Sequence, residues 1–202
     1  SFPSGVRMGN IAVDLAPPSN WTDFERLTLD VCRLLWKDDY ASMHGRAGQA
    51  QCGVDVFGYD YRATRTFCGV QCKKRTSVYK AYTAMPANTL TVDEVLAEVD
   101  KAETFEPRLG RLIVATTGAA DAELQRKVAA LDQASMKMRV SLWFWDEYVA
   151  VLNDNSDLMF RYYENVLKFR ETYTEDEHYF RLLRMAFDRP AIRTQFHYEN
   201  RA

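Results

Sequence analysis

Three polar residues in two neighbouring strand-like segments have the types and spacing of a metal-dependent hydrolytic site. Asp55 lies in the run "GVDVFG", and Gln71 and Lys73 lie two residues apart in "GVQCKK". Because side chains alternate across a strand, Gln71 and Lys73 project from one face and Cys72 from the other. If the two runs pair as neighbours, Asp55 can approach both Gln71 and Lys73.

A carboxylate, an amide oxygen and an ammonium at one sheet edge suit a hard divalent cation such as Mg²⁺. We expect Asp55 and the Gln71 oxygen to bind the cation, with the backbone carbonyl of Cys72 as a further ligand. Lys73 would orient or deprotonate a metal-bound water, or offset charge on a phosphorane-like transition state. This set of residues therefore predicts hydrolysis by an activated water.

Each of these residues also has a simpler interpretation. An aspartate between two valines needs either a cation or hydrogen-bond donors, because an unpaired buried charge is costly. Lys73 and Lys74 could protect an edge strand from aggregation, as lysines often do. The spacing of Lys73 from Gln71, rather than its charge, favours the catalytic interpretation.

The elements that must position these residues alternate between helical and strand patterns. An amphipathic helix is expected from "WTDFERLTLDVCRLLW", with Asn20 or Thr22 as N-cap. Two strands follow, from residue 54 to 58 and from residue 66 to 74. A helix that begins with the capping-box spacing of Thr91 and Glu94, a strand at "RLIVATTG", a helix and a further strand at "RVSLWFW" complete the pattern. This order predicts an α/β protein with a mixed sheet and helices on both faces.

Composition excludes several classes of protein. The chain has 202 residues, is 47% hydrophobic and 27% charged, and carries a formal net charge of -2. These values are typical of a soluble globular protein without a global attraction to nucleic acid. No apolar run has the length of a membrane span, and no secretory signal pattern is present, so we expect a cytoplasmic protein. The four cysteines are expected to be reduced and mostly buried.

The motifs in this order resemble the PD-(D/E)XK nuclease superfamily, and the glutamine in place of the second acid resembles its Mrr-like restriction-endonuclease branch. The resemblance rests on "FERL", "GVDVFG" and "GVQCKK". It implies a restriction-endonuclease-like core in the order αβββαβ over residues 1–145, provided that a short strand precedes Gly53, and a helical extension over residues 146–202. It also implies that Asp55, Gln71 and Glu25 are metal ligands and that Lys73 is the catalytic lysine.

By this resemblance the chain would be an Mg²⁺-dependent DNA endonuclease, with Mn²⁺ as a substitute. The glycine-rich stretch "HGRAGQAQCGVD" is similar to that of effector nucleases in bacterial anti-phage defence, which implies a fused or associated sensor module. Cutting both strands would need a dimer or a larger homo-oligomer. We expect DNA contacts from Arg46, Gln49, Lys74 and Arg75. The last two lie in a basic segment that runs from residue 62 to residue 80.

Three alternatives stay open at this point. Glu25 follows Thr22 by three residues, so it could be the last member of a capping box instead of a metal ligand. The whole domain could be a degenerate nuclease fold that serves only as a nucleic-acid-binding or assembly module, which Gln71 favours. A small-molecule α/β enzyme would need a phosphate-binding glycine motif, for which "ATTGAADAE" is a weak candidate.

Overall fold

The structure is a computed structural model that describes most of the first 168 residues and a few beyond them. The described residues are 15–45, 52–62, 64–75, 89–133, 138–168, 179–180 and 182–184. The chain divides into two compact units, residues 1–154 and residues 155–202. The sequence-based division after residue 145 stays a prediction, and the helix that begins at Trp145 falls in the first unit.

The first unit is an α/β fold, as the sequence predicts. In chain order its elements are α1 (Trp21–Trp36), β1 (Ser42–Met43), β2 (Val56–Asp60), β3 (Thr66–Lys73), α2 (Val92–Ala102), β4 (Arg111–Thr116), α3 (Ala122–Gln133), β5 (Arg139–Trp143) and α4 (Trp145–Asp154). In the second unit, α5 spans Ser156–Lys168. Among the described residues, no helix combines the length and the apolar composition needed to cross a bilayer.

The five strands form one mixed sheet in the order β1-β2-β3-β4-β5. The pairs β1/β2 and β2/β3 are antiparallel, whereas β3/β4 and β4/β5 are parallel. β2 and β3 are antiparallel because a short polar connection joins them after Asp60. In this connection the Asp60 carboxylate accepts hydrogen bonds from the Arg62 guanidinium at 2.7 and 2.9 Å. The parallel pairs need crossovers, which α2 and α3 provide.

The two faces of the sheet are covered by different helices. On one face the Cys72 thiol lies 3.5 Å from the hydroxyl of Thr28 on α1, and that hydroxyl lies 2.9 Å from the Tyr148 hydroxyl on α4. On the other face, valines of α2 join a buried apolar cluster with residues of α3, β4 and β5. Burial of each large apolar side chain in such a cluster contributes about 1.5–3 kcal/mol. Because Cys72 faces α1 and side chains alternate along a strand, the odd-numbered residues of β3 face α2.

The helix that covers this second face begins as its sequence predicts. Thr91 caps α2 by accepting a hydrogen bond from the backbone N–H of Glu94, and the Glu94 carboxylate accepts one from the N–H of Thr91. This capping box fixes the first turn of α2. Val95, Val99 and Ala102 then turn into the core at helical spacing.

Candidate functional site

Asp55 and Gln71 lie opposite one another where β2 and β3 pair. Val56 pairs with Val70, and the N–H of Asp55 donates to the carbonyl of Val70 at 2.8 Å. The antiparallel register therefore places Asp55 beside Gln71 on one face of the sheet. β2 begins at Val56, two residues later than the predicted strand, so Asp55 occupies the bend that leads into β2.

The Asp55 carboxylate is buried and hydrogen-bonded. Its Oδ2 atom accepts hydrogen bonds from the Gln71 amide nitrogen and from the backbone N–H of Cys72, both at 2.7 Å. Asp55 is 3% exposed and Gln71 is 8% exposed. The Gln71 nitrogen also donates to the Cys72 carbonyl at 3.3 Å, so three of the four groups predicted to bind a metal adjoin one another.

Burial raises the pKa of Asp55 to about 6. The N–H of Cys72 and the charge of Lys73 lower this pKa, while the charges of Glu25 and Glu98 raise it. Removal of water disfavours the ionised carboxylate more than these donors favour it. A cation bound at this carboxylate would favour the ionised form and lower this pKa.

Lys73 lies on the same face of β3 as Gln71, as predicted, and its ammonium is paired with an acid on α2. Its Nζ atom lies 2.6 Å from Oε1 of Glu98, and Nζ of Lys101 lies 3.0 Å from the same oxygen. Burial acts to raise the pKa of Glu98, but the hydrogen bonds from Lys73 and Lys101 outweigh it, so the pKa is lowered. Glu98 therefore stays ionised beside Lys73.

Sequence reasoning missed Glu98. A signal was present, because this glutamate lies at a core position of an amphipathic helix, next to Val99 and three residues after Val95. An acid within an apolar stripe is unusual and needs a partner. Its partner, Lys73, lies 25 residues earlier in the chain, so only the fold joins them.

Glu25 lies on α1, which covers the other face of the sheet. The capping-box alternative for Glu25 is wrong, because Asn20 is the N-cap of α1 and accepts a hydrogen bond from the N–H of Asp23 at 2.7 Å. The Glu25 carboxylate instead accepts a hydrogen bond from the indole of Trp21. Its charge nevertheless adds to the raised pKa of Asp55, of which burial is the main cause. The pKa of the Cys72 thiol is raised mainly by burial, and the charges of Asp55 and Glu25 raise it further.

Two of the four residues predicted to contact DNA are among the described residues. Arg46 and Gln49 lie outside the described residues, and Lys74 is half-buried just after β3. The Arg75 guanidinium lies 2.7 Å from Glu94, and its backbone N–H donates to the Thr117 hydroxyl at 2.7 Å. Arg75 is thus engaged with α2 and with the residue that follows β4, and its role in DNA binding stays a prediction.

The oxygen-bearing groups around Asp55 suit a hard cation better than a soft one. Within the described part of the chain, no group of three or more His, Cys, Asp and Glu side chains is arranged to hold a metal. The Gln71 amide nitrogen instead contacts the Asp55 carboxylate and the Cys72 carbonyl, so a carboxylate, a side-chain amide and a backbone carbonyl, each of which carries an oxygen, adjoin one another here. Such oxygens are the ligands that Mg²⁺ accepts, together with water.

Comparisons of this chain with protein-family models, with curated proteins and with solved structures gave no match in any of the three. What the residues around Asp55 can do must therefore be inferred from their own geometry and chemistry.

Proposed function

We propose that this protein is an Mg²⁺-dependent DNA endonuclease that hydrolyses phosphodiester bonds, of the PD-(D/E)XK superfamily and its Mrr-like branch. The observation that carries the proposal is the 2.7 Å contact between Asp55 and Gln71 on the sheet face that also bears Lys73. A buried acid, an amide two residues before a lysine, and that lysine are the groups that the resemblance assigns to metal binding and catalysis.

The order of elements supports the same proposal. The sequence α1, β1, β2, β3, α2, β4 is a helix, three strands, a helix and a strand, which is the order that the resemblance implies. β1 precedes Gly53 and pairs with β2, which is compatible with the short strand that the resemblance requires there. Asp55 thus lies just before the second strand of this series, and Gln71 lies near the end of the third, beside it.

Asp55, the Gln71 side chain and the Cys72 carbonyl would hold the cation, with Glu25 as a further ligand or an outer carboxylate. The Gln71 amide would turn over so that its oxygen replaces its nitrogen, because the nitrogen now donates to Asp55. A bound Mg²⁺ supplies a more acidic water and a partner for phosphoryl oxygens. Lys73 would orient the attacking water or offset negative charge at the phosphorus.

Plasmid cleavage tests the proposal. Purified protein with Mg²⁺ or Mn²⁺ should nick supercoiled DNA, and Asp55→Ala and Lys73→Ala should each lower the rate by about 10²-fold or more. Asp100→Ala, an exposed acid on α2, and Lys127→Ala on α3 are matched controls that should leave the rate unchanged. Cleavage that persists equally in Asp55→Ala would disprove the assignment.

Because an effector nuclease can be inactive until triggered, Mg²⁺ binding is measured in parallel. Mg²⁺ should raise the unfolding temperature of the wild type and have no such effect on Asp55→Ala. A wild-type protein that neither cuts DNA nor responds to Mg²⁺ contradicts the proposed enzyme. RNA offered in place of plasmid DNA tests the choice of nucleic acid.

A second candidate is a degenerate nuclease fold that binds nucleic acid or supports assembly without cutting. The observation that favours it is internal pairing: the Gln71 nitrogen donates to Asp55, and Lys73 pairs with Glu98. Salt-sensitive DNA binding without cleavage or an Mg²⁺ response would establish this alternative.

The biological role rests on the resemblance alone. We propose that the chain is the effector nuclease of a bacterial anti-phage system, joined to or activated by a sensor module. A homo-oligomer would bring two sites to the two strands of DNA. Sedimentation with and without DNA, compared with the ratio of nicked to linear plasmid, tests whether double-strand cutting accompanies assembly.

A further inference from the structure

Glu98 is a buried acid near Asp55 that has no role in the proposed mechanism. Glu98 is 4% exposed, between apolar positions of α2 that pack into the core. An ionised carboxylate in such a place loses its hydration, and an apolar residue of similar size would often be at least as stabilising. Stability alone therefore does not explain why this core position carries an acid.

Glu98 adjoins one residue of the proposed site, Lys73, and the turn that leads into Asp55. Its Oε1 atom holds the ammonium of Lys73 at 2.6 Å. Its Oε2 atom and its backbone carbonyl lie against Gly53, where an added Cβ would be 3.3 and 3.2 Å away, respectively. Glu98 thus lies between the turn that leads into Asp55 and the end of the strand that bears Lys73.

The two lysines on Glu98 are not equivalent. The Lys73 side chain is 24% exposed, and it projects from the sheet face that carries Gln71 and Asp55. The Lys101 side chain is 56% exposed, and it lies one turn further along α2. An exposed ion pair contributes little, because water competes for both charges, so Lys101 mainly adds to the neutralisation of Glu98.

We propose that Glu98 is a positioning residue that holds the Lys73 ammonium in place beside Asp55 and Gln71, and this inference rests on the proposed nuclease function. A lysine side chain has four rotatable bonds, and holding it in one conformation costs rotamer entropy. The short bond to an acid anchored in a helix offsets that loss before substrate arrives. Glu98 contacts neither substrate nor metal in this scheme.

The test compares Glu98→Gln with two controls on the same helix. Single-turnover cleavage is measured at saturating Mg²⁺, together with the Mg²⁺ concentration that gives half the maximal rate and the unfolding temperature. Glu98→Gln should slow cleavage by about 10- to 100-fold, because a misplaced catalytic group loses rate on this scale. The Mg²⁺ midpoint should stay within about twofold of wild type, since no ligand has changed.

The controls separate position from charge. Asp100→Asn removes an exposed acid two residues away, and Lys101→Met removes the second lysine on Glu98. Both should cut at the wild-type rate. A loss in Lys101→Met equal to that in Glu98→Gln would overturn the inference, since Glu98 would then act through its charge balance and not through Lys73.

Two further outcomes overturn the inference without touching the proposed function. One is wild-type cleavage by Glu98→Gln while Asp55→Ala is inactive. The other is a Glu98→Gln defect that excess Mg²⁺ restores, which would make Glu98 a metal ligand. If Glu98→Gln does not fold, Glu98→Asp keeps the charge but shortens the reach to Lys73. It should also cut slowly, and an unchanged rate counts against the inference.

Failure of the proposed function gives a different pattern. In that case wild type, Asp55→Ala and Glu98→Gln are all equally inactive, and Mg²⁺ leaves the unfolding temperature of each unchanged. The positioning role would fall with the nuclease assignment.

Discussion

The Gln71 amide nitrogen donates to Oδ2 of Asp55 at 2.7 Å, across the antiparallel pair of β2 and β3. Both residues are buried, so this bond partly replaces the water that the carboxylate loses. The same geometry would bring the amide oxygen to a cation on Asp55 if the amide turned over. Substitutions at these two positions therefore distinguish a structural hydrogen bond from a metal site.

Gln71→Glu should make the protein less stable without metal and more responsive to Mg²⁺. Two carboxylates in contact repel, so we expect a loss of about 1–3 kcal/mol in the free energy of unfolding without metal. A cation shared by two acids gains affinity, so millimolar Mg²⁺ should raise the unfolding temperature more than in wild type. Thermal unfolding with and without Mg²⁺ measures both effects.

The exposed Gln125 on α3 provides the control, and Gln125→Glu should behave as wild type in both measurements. A Gln71→Glu protein that gains no extra stabilisation from Mg²⁺ would show that residue 71 is not a ligand.

Sequence alone predicted the contact between Asp55 and Gln71, because it needed only two strands that pair and side chains that alternate. It left the N-cap of α1 open, since Asn20 and Thr22 both have suitable side chains, and three-dimensional geometry selects Asn20. It left β1 as a condition of the family order, because two residues are too few for a periodic pattern.

The residues that sequence could not assign are those whose partners are distant. Glu98 meets Lys73 only after α2 crosses the sheet face, and no local spacing indicates this.

The strand that follows Asp55 begins late because Cys52 and Gly53 both have positive φ values, 47° and 69°, and form a turn. Such a turn is visible in the sequence only as a glycine.

Gly53→Ala tests whether that turn supports the site. At φ +69° an alanine is strained, and its Cβ would lie 2.9 Å from the Cβ of Lys101. We expect a loss of about 1–3 kcal/mol in the free energy of unfolding, from strain and overlap together. The Mg²⁺-induced rise in unfolding temperature should also shrink, because Asp55 follows two residues later.

Gly118→Ala is the matched control for Gly53→Ala. Its added Cβ would come no closer than 3.4 Å to the Thr116 hydroxyl, an ordinary contact. We expect a change of at most about 0.5 kcal/mol. Urea unfolding of the two variants at one pH measures the difference, and equal losses would mean that the turn at Gly53 has no special role.

Asp55 should make the folded protein less stable as the pH rises from about 4 to about 6. Its pKa is raised from 3.8 to about 6 by burial, so in this window the folded state holds a proton that the unfolded state has released. Folding is then linked to proton uptake, and stability falls with increasing pH. Over the full window the loss is of order 1–3 kcal/mol.

Asp55→Asn removes this dependence. From pH 4 to pH 6, wild type should therefore lose unfolding free energy relative to Asp55→Asn. Above pH 6 the difference between the two proteins should be constant. Urea titrations at pH 4, 5, 6 and 7 measure this shift, and Mg²⁺ should reduce it in wild type by favouring the carboxylate. A difference that is flat across the series would contradict the raised pKa.

Asp60, at the other end of β2, should show the opposite dependence. Hydrogen bonds from Arg62 lower its pKa, and the charge of Arg111 at 3.5 Å acts in the same direction. The unfolded state therefore binds the proton more readily, so Asp60 stabilises the folded protein above its ordinary pKa and loses this effect as the pH falls through its lowered value. At pH 7, Asp60→Asn should cost about 1–2 kcal/mol in unfolding free energy, because Asp60 is 7% exposed and Arg62 loses the carboxylate that it contacts. Urea unfolding at pH 7 and pH 3 should show the loss shrinking at the lower pH, whereas a loss that grows on acidification would mean that the carboxylate of Asp60 is not the ionised partner of Arg62.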